Sequence, residues 1–168
     1  GAGIEPRPKA ILTTMAKQLP SYGGSYDTAI SDARHYANEN FTEIILASGE
    51  RKAQHLDEKL RQSGISSALD YNLNALPEKP IVVVTLGSLS AGMEYPTAKI
   101  VVITEGQLYT PTVKKKPKKK KSNRETINSY SDLSVGDLIV HEHHGIGRFS
   151  GIEKIKSDGV ERDYIKLT

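Results

Sequence analysis

Residues 114–121 read Lys-Lys-Lys-Pro-Lys-Lys-Lys-Lys, and no packed core can contain them. Like charges at this density repel one another and the stretch offers nothing apolar to bury, so it is expected to be an extended, solvated linker. It also divides the chain. Residues 1–112 carry ten basic and twelve acidic side chains, residues 113–124 eight basic and none acidic, and residues 125–168 five basic and eight acidic. The formal net charge of +3 therefore comes from a dozen residues, while both flanks are mildly acidic and neither has the charge of a nucleic-acid-binding domain. The lysines themselves admit two readings. Lys114, Lys115, Lys116, Lys118, Lys119, Lys120 and Lys121 can touch DNA phosphates, but only without regard to sequence, because no aromatic or base-reading side chain is interleaved. The alternative, which we favour, is a spacer that keeps two domains apart.

On the N-terminal side the pattern is α/β. Ile11, Leu12, Met15, Ala16 and Leu19 fall at helical spacing up to Pro20. Ser25 or Asp27 can cap a helix whose apolar stripe is Ala29, Ile30, Ala33, Tyr36 and Ala37. Thr42–Ala47 reads as a strand. A second helix follows with Ala53, Leu56 and Leu60 on one face and Gly64 in the C′ position, and Asp57-Glu58 on its solvent side. Ser66–Tyr71 is a further candidate strand. Ile81–Thr85 and Lys99–Thr104 are continuous β-branched runs, the pattern of strands buried on both faces as in parallel sheets. Residues 1–112 are thus expected to form a layered α/β domain with a mostly parallel sheet. Residues 113–131 form the basic linker, with a short helical turn near 124–131.

From residue 132 to 168 the pattern is β. Leu138–His141 is a strand, and Gly145, Gly147 and Gly151 punctuate a second one running to about Lys156. Asp158-Gly159 suits a two-residue hairpin turn in which both residues have positive φ, and Val160–Leu167 is the returning strand. A glycine-rich meander of this kind belongs to small barrels, and these residues are expected to make part of one.

Catalytic signatures are missing from the sequence. No Gly-x4-Gly-Lys-Ser/Thr loop is present to cradle phosphates. Gly145, Gly147 and Gly151 have the wrong spacing for a dinucleotide fingerprint and are flanked by strands. His141-Glu142-His143-His144 is followed by Gly145 where a zincin needs histidine, so structural roles for His141 and His144 are preferred and no metal is expected. Ser48-Gly49 lacks the flanks of a nucleophile elbow. Gly87–Gly92, a small-residue loop after a strand, lies where α/β domains bind ligands but carries no charged partner, so a compact connection is the plainer reading. The 168 residues contain no cysteine, which fits a reducing cytoplasm, and no apolar run suited to a membrane or to a signal peptide.

Residues 126–168 carry a specific likeness. Ile127–Leu133, Val135–His141, His144–Phe149, Gly151-Ile152-Glu153 and Asp163–Leu167 resemble the opening of the RNA-polymerase-interacting domain of bacterial transcription-repair coupling factors, a Tudor- or SH3-like β barrel also found in CarD regulators. Val102–Tyr109 followed by a basic run resembles that family's preceding junction. Phe41–Gly64 and Leu86–Pro96 resemble, more loosely, its α/β domain. The resemblance implies a non-catalytic segment of a larger protein that removes stalled polymerase from damaged DNA. It implies docking on the polymerase β subunit through Asp163, Tyr164, Ile165, Lys166 and Leu167. It places ATP, Mg and the recruitment of excision-repair proteins in domains outside this segment, and leaves the segment itself without a cofactor.

Overall fold

A computed structural model describes residues 3–4, 17–19, 25–89, 92–109, 134–141 and 145–168. The linker lysines, the helical spacing before Met15 and Ala16, and the expected turn near 124–131 lie outside them. The elements are β1 (Gly3–Ile4), β2 (Lys17–Gln18), α1 (Tyr26–Asn38), β3 (Thr42–Ala47), α2 (Glu50–Gln62), β4 (Ser67–Leu69), β5 (Val82–Leu86), β6 (Met93–Tyr95), β7 (Ile100–Thr104), α3 (Glu105–Tyr109), β8 (Leu138–His141), β9 (Gly145–Ser157) and β10 (Val160–Leu167).

Two sheets result. One is six-stranded in the order β2-β6-β7-β3-β5-β4, and the other is four-stranded in the order β1-β10-β9-β8. In the first, β7, β3, β5 and β4 run parallel, while β6 and β2 add antiparallel. The sheet is therefore mixed, with four of its six strands parallel. Short segments such as Met93–Tyr95 have too few residues to give a periodic signal of their own.

Local sequence accounts for the helices. The Ser25 side chain accepts a hydrogen bond from the Thr28 backbone N–H at 3.3 Å and caps α1. Gly64, at φ +79°, takes the left-handed conformation that ends α2. Both helices bury their apolar stripes against the same face of the six-stranded sheet, with Ile30, Ala33, Leu56 and Leu60 packed on Ile45, Val84, Val101 and Ile103. Asp57 departs from its expected solvent position. It is buried, accepts from Ser67 Oγ at 2.6 Å and pairs with Arg61 at 3.1 Å.

The opposite face of that sheet explains the continuous apolar runs. Ile44, Leu46, Val83, Ile100 and Val102 are covered by Val140 and Ile146, which belong to the second sheet. The α/β and β parts thus share a core, and the expectation that the basic segment holds two domains apart is corrected at this point. Parallel strands need cover on both sides, and here helices cover one side and an antiparallel sheet the other.

Glu43 sits within this assembly on β3 and is only 1% exposed, on the helix side with Ile45. Neither carboxyl oxygen has a hydrogen-bond partner among the described residues. Burial, with Asp32 adding, raises its pKa from 4.5 to about 8. Folded Glu43 thus holds a proton at neutral pH that the unfolded chain releases. Stability is fully present below about 4.5, falls as pH rises toward about 8, and levels off beyond it. Urea denaturation across this range is expected to show a loss of roughly 1 kcal/mol per pH unit from this residue, and Glu43→Gln is expected to flatten that slope.

Candidate docking edge

The second sheet is built from a meander whose turns the sequence dictates. Ser134–Asp137 forms a turn in which Ser134 N donates to Asp137 Oδ2 at 2.9 Å and Asp137 N to Ser134 O at 3.0 Å. The turn is fastened to β9 by Gly136 N to Phe149 O and Phe149 N to Asp137 O, both 2.8 Å. At the far end Asp158 and Gly159 have φ of 51° and 77°, so the expected two-residue hairpin turn is present. Between these turns β8 pairs with β9, and β9 with β10, all antiparallel. A register shift lies between Lys166 and Leu167, opposite Ser150.

Strand alternation sorts the side chains of this sheet. Leu138, Val140, Ile146 and Arg148 face the six-stranded sheet. Ile139, Gly147, Phe149, Ile165 and Leu167 line the other face, where a Cβ on Gly147 would come within 2.9 Å of Leu167. Close approach of β10 is what requires glycine there. Ile165 is fully buried, so by alternation Tyr164 and Lys166 are the outward members of Asp163–Leu167. Lys166 forms an exposed ion pair with Glu153 at 3.7 Å.

Arg148 fixes this sheet on its support. Its Nε donates to Leu73 O at 2.8 Å, Nη1 to Leu86 O at 2.9 Å and to Gly136 O at 3.1 Å, and Nη2 to Thr85 Oγ1 at 2.7 Å. Burial pulls its pKa down from the usual arginine value, and Asp70 and Asp137 act in the opposite sense. The cleft of about 310 Å³ beside it, lined by Asn72, Asn74, Gly136 and Phe149, therefore meets a guanidinium with four of its five N–H groups already engaged. Sequence reading missed this role. The available signal was a long cation placed between glycine and phenylalanine, two residues after buried Ile146 and on the same strand face.

The backbone geometry of β10 defines an edge. Residues flanking a two-residue hairpin turn exchange both backbone hydrogen bonds, and antiparallel pairs alternate from there. Val160, Arg162 and Tyr164 thus turn their backbone groups toward β9, while Glu161, Asp163 and Ile165 turn theirs outward. On the outer side β1 pairs only with Ile165 and Lys166. Among the described residues, no strand pairs with the outward groups of Glu161 and Asp163.

The other sequence candidates fall elsewhere. His141 is buried at the end of β8, whereas His143, His144 and all seven linker lysines lie outside the described residues. In the Gly87–Gly92 loop, Gly87 N donates to Ala47 O at 3.0 Å, and the Gln107 side chain fills the space a Cβ on Gly92 would need. Ser90 and Ala91, at the centre of this loop, lie outside the described residues. Among the described residues no three histidine, cysteine, aspartate or glutamate side chains gather as metal ligands, and no helix is long and apolar enough to cross a membrane.

Comparisons with known proteins bear on the same region. The profile of the CarD-like/TRCF RID domain matches residues 133–168, the span of β8 to β10. Transcription-repair-coupling factor of Bacillus subtilis is 34% identical over 161 residues, covering 95% of this chain and 14% of the relative. Those of Staphylococcus epidermidis and Staphylococcus aureus are 39% and 37% identical over 159 residues, covering 94% of this chain and 13% of each relative. The chain thus spans about one seventh of the curated relatives it matches.

Arg148→Ala takes the guanidinium donors from three backbone carbonyls at the sheet–sheet boundary and leaves the Thr85 hydroxyl oxygen with only the Leu73 N–H. Its expected cost is about 3 kcal/mol in urea denaturation, with Arg148→Lys intermediate because an ammonium cannot reproduce the planar fork.

Proposed function

The chain belongs to the transcription-repair-coupling factor family, and on that footing we propose that its second sheet docks on the β subunit of RNA polymerase through the outer edge of β10. The observation that carries this reading is the coincidence of two things. The polymerase-interacting domain profile covers residues 133–168, and within that span β10 turns the backbone groups of Glu161 and Asp163 outward with no strand paired to them among the described residues. A strand edge of this kind takes an extended partner segment by main-chain hydrogen bonding, with alternate side chains supplying selectivity. Asp163 and Ile165 contribute backbone groups, Tyr164 and Lys166 contribute side chains, and Leu167 anchors the strand to Gly147.

In this reading the segment is a non-catalytic coupling element. The six-stranded sheet serves as the rigid seat on which Arg148 holds the docking sheet. Displacement of stalled polymerase, ATP and Mg binding, and recruitment of excision repair belong to other parts of the whole protein. The seven linker lysines supply at most a sequence-blind contact to the DNA backbone.

Titration against the isolated β-subunit lobe of RNA polymerase, at moderate salt, tests the reading. Asp163→Pro removes one outward N–H while leaving the ladder to β9 intact, and it is expected to weaken binding at least about tenfold. Tyr164→Ala is expected to weaken it less. Undiminished binding by Asp163→Pro would move the contact off this edge. Binding that instead disappears when the linker lysines are neutralised would transfer the function to the basic run. Ile165 is unsuited to such a test because its burial makes any charged replacement a folding defect.

A further inference from the structure

The same edge that is proposed for polymerase is already partly taken by the chain itself. Gly3–Ile4 runs antiparallel to β10, with Ile4 opposite Ile165 and Gly3 opposite Lys166. Ile165 is one of the residues whose backbone groups turn outward, so by alternation Ile4 and Ile165 form a hydrogen-bonded pair and Gly3 and Lys166 a non-bonded one. We propose that β1 is an autoinhibitory strand, which occupies the docking edge in cis and must peel away before a partner strand can pair along the whole of Asp163–Leu167. This proposal rests on reading β10 as the polymerase-facing edge.

Three features favour a displaceable occupant over a permanent fourth strand. First, among the described residues β1 pairs over two positions, so by alternation it contributes one bonded pair. Second, β1 pairs with Ile165 and Lys166, and among the described residues no strand pairs with Glu161 or Asp163, which gives an incoming strand a foothold next to the occupied stretch. A partner can start pairing at Asp163 and advance, exchanging one strand for another without exposing the whole edge to water. Third, one position of β1 is glycine, which weakens a strand in which it stands. The apparent affinity for any partner strand is then its intrinsic affinity multiplied by the fraction of molecules with β1 released.

The sequence makes a direct test available, because the chain has no cysteine of its own. Non-bonded antiparallel pairs bring Cα atoms to about 4.5 Å, within the range a disulfide spans. The double variant Gly3→Cys with Lys166→Cys therefore locks β1 in place when oxidised and frees it when reduced. Each state is titrated against the isolated polymerase β-subunit lobe, beside the unmodified chain and Ile4→Pro, which removes the N–H that β1 donates to Ile165. The expected result is that reduction tightens binding by at least about tenfold over the oxidised form, and that Ile4→Pro binds more tightly than the unmodified chain. Because the oxidised and reduced forms share one sequence, the loss of Lys166 cancels in their comparison. Equal binding by the oxidised and reduced forms would overturn the masking while leaving the docking edge standing. No binding by any of the four would overturn the docking reading and the masking with it. Amide exchange separates release from global unfolding: Ile4→Pro is expected to lose protection at Ile165 while the β3 and β5 amides keep theirs.

Discussion

The assembly depends on a parallel sheet that cannot be left half covered. Strands β3, β5 and β7 bury side chains on both faces, and among the described residues the two helices long enough to cover a sheet, α1 and α2, pack on the same side. The other side is closed by β8 and β9, and Arg148 completes the closure. Its guanidinium enters between the sheets and satisfies carbonyls at the ends of two separate connections, Leu73 and Leu86. Apolar contact supplies the attraction between the sheets, but it is indifferent to register. The hydrogen bonds from Arg148 have direction, and they fix where one sheet sits on the other. A buried cation is a poor source of net stability and a good source of uniqueness when its donors meet fixed acceptors, as four of the five N–H groups of Arg148 do.

Much of this was legible in the residues. The cap at Ser25, the terminating Gly64, the strand at Thr42–Ala47, the burial of the two β-branched runs and the Asp158-Gly159 turn each follow from local chemistry. The misreadings share a different origin. Asp57 reads as solvent-facing because it is charged, although it stands four residues after Ala53 and three before Leu60, beside the apolar stripe, where Ser67 from β4 and Arg61 one turn on make its burial tolerable. Glu43 interrupts no pattern that a short strand would reveal, since six consecutive buried residues carry no alternation to break. The shared core was hidden for a related reason. A lysine-rich segment reads as a separator, but its charge says only that the segment itself stays in water, and nothing about whether the parts it joins touch.

The proposed docking edge was read from resemblance to a family, and the residues contributed the rest. Alternation along Asp163–Leu167 allowed either face to be the inner one. Burial of Ile165 and the contact between Leu167 and Gly147 resolve the choice, and they leave Tyr164 and Lys166 outward. What neither alternation nor resemblance indicated is that residues from the far end of the sequence, Gly3–Ile4, come to lie beside the same strand. Two-residue strands are set wholly by their partner, so no window of local sequence contains them.

The cross-strand order of the β9–β10 ribbon carries one more consequence. On one face Lys154 stands opposite Asp163 and Lys156 opposite Glu161, so the inner strand holds the positive members and the outer strand the negative ones. Were two copies to meet edge to edge along β10, carboxylates would oppose carboxylates, which is unfavourable for directly facing residues. A segment bearing lysine or arginine at alternate positions meets no such penalty. The exposed strand is thereby self-avoiding. The acidic outer row therefore disfavours pairing of this face with its own copy and imposes no such penalty on a segment of opposite charge.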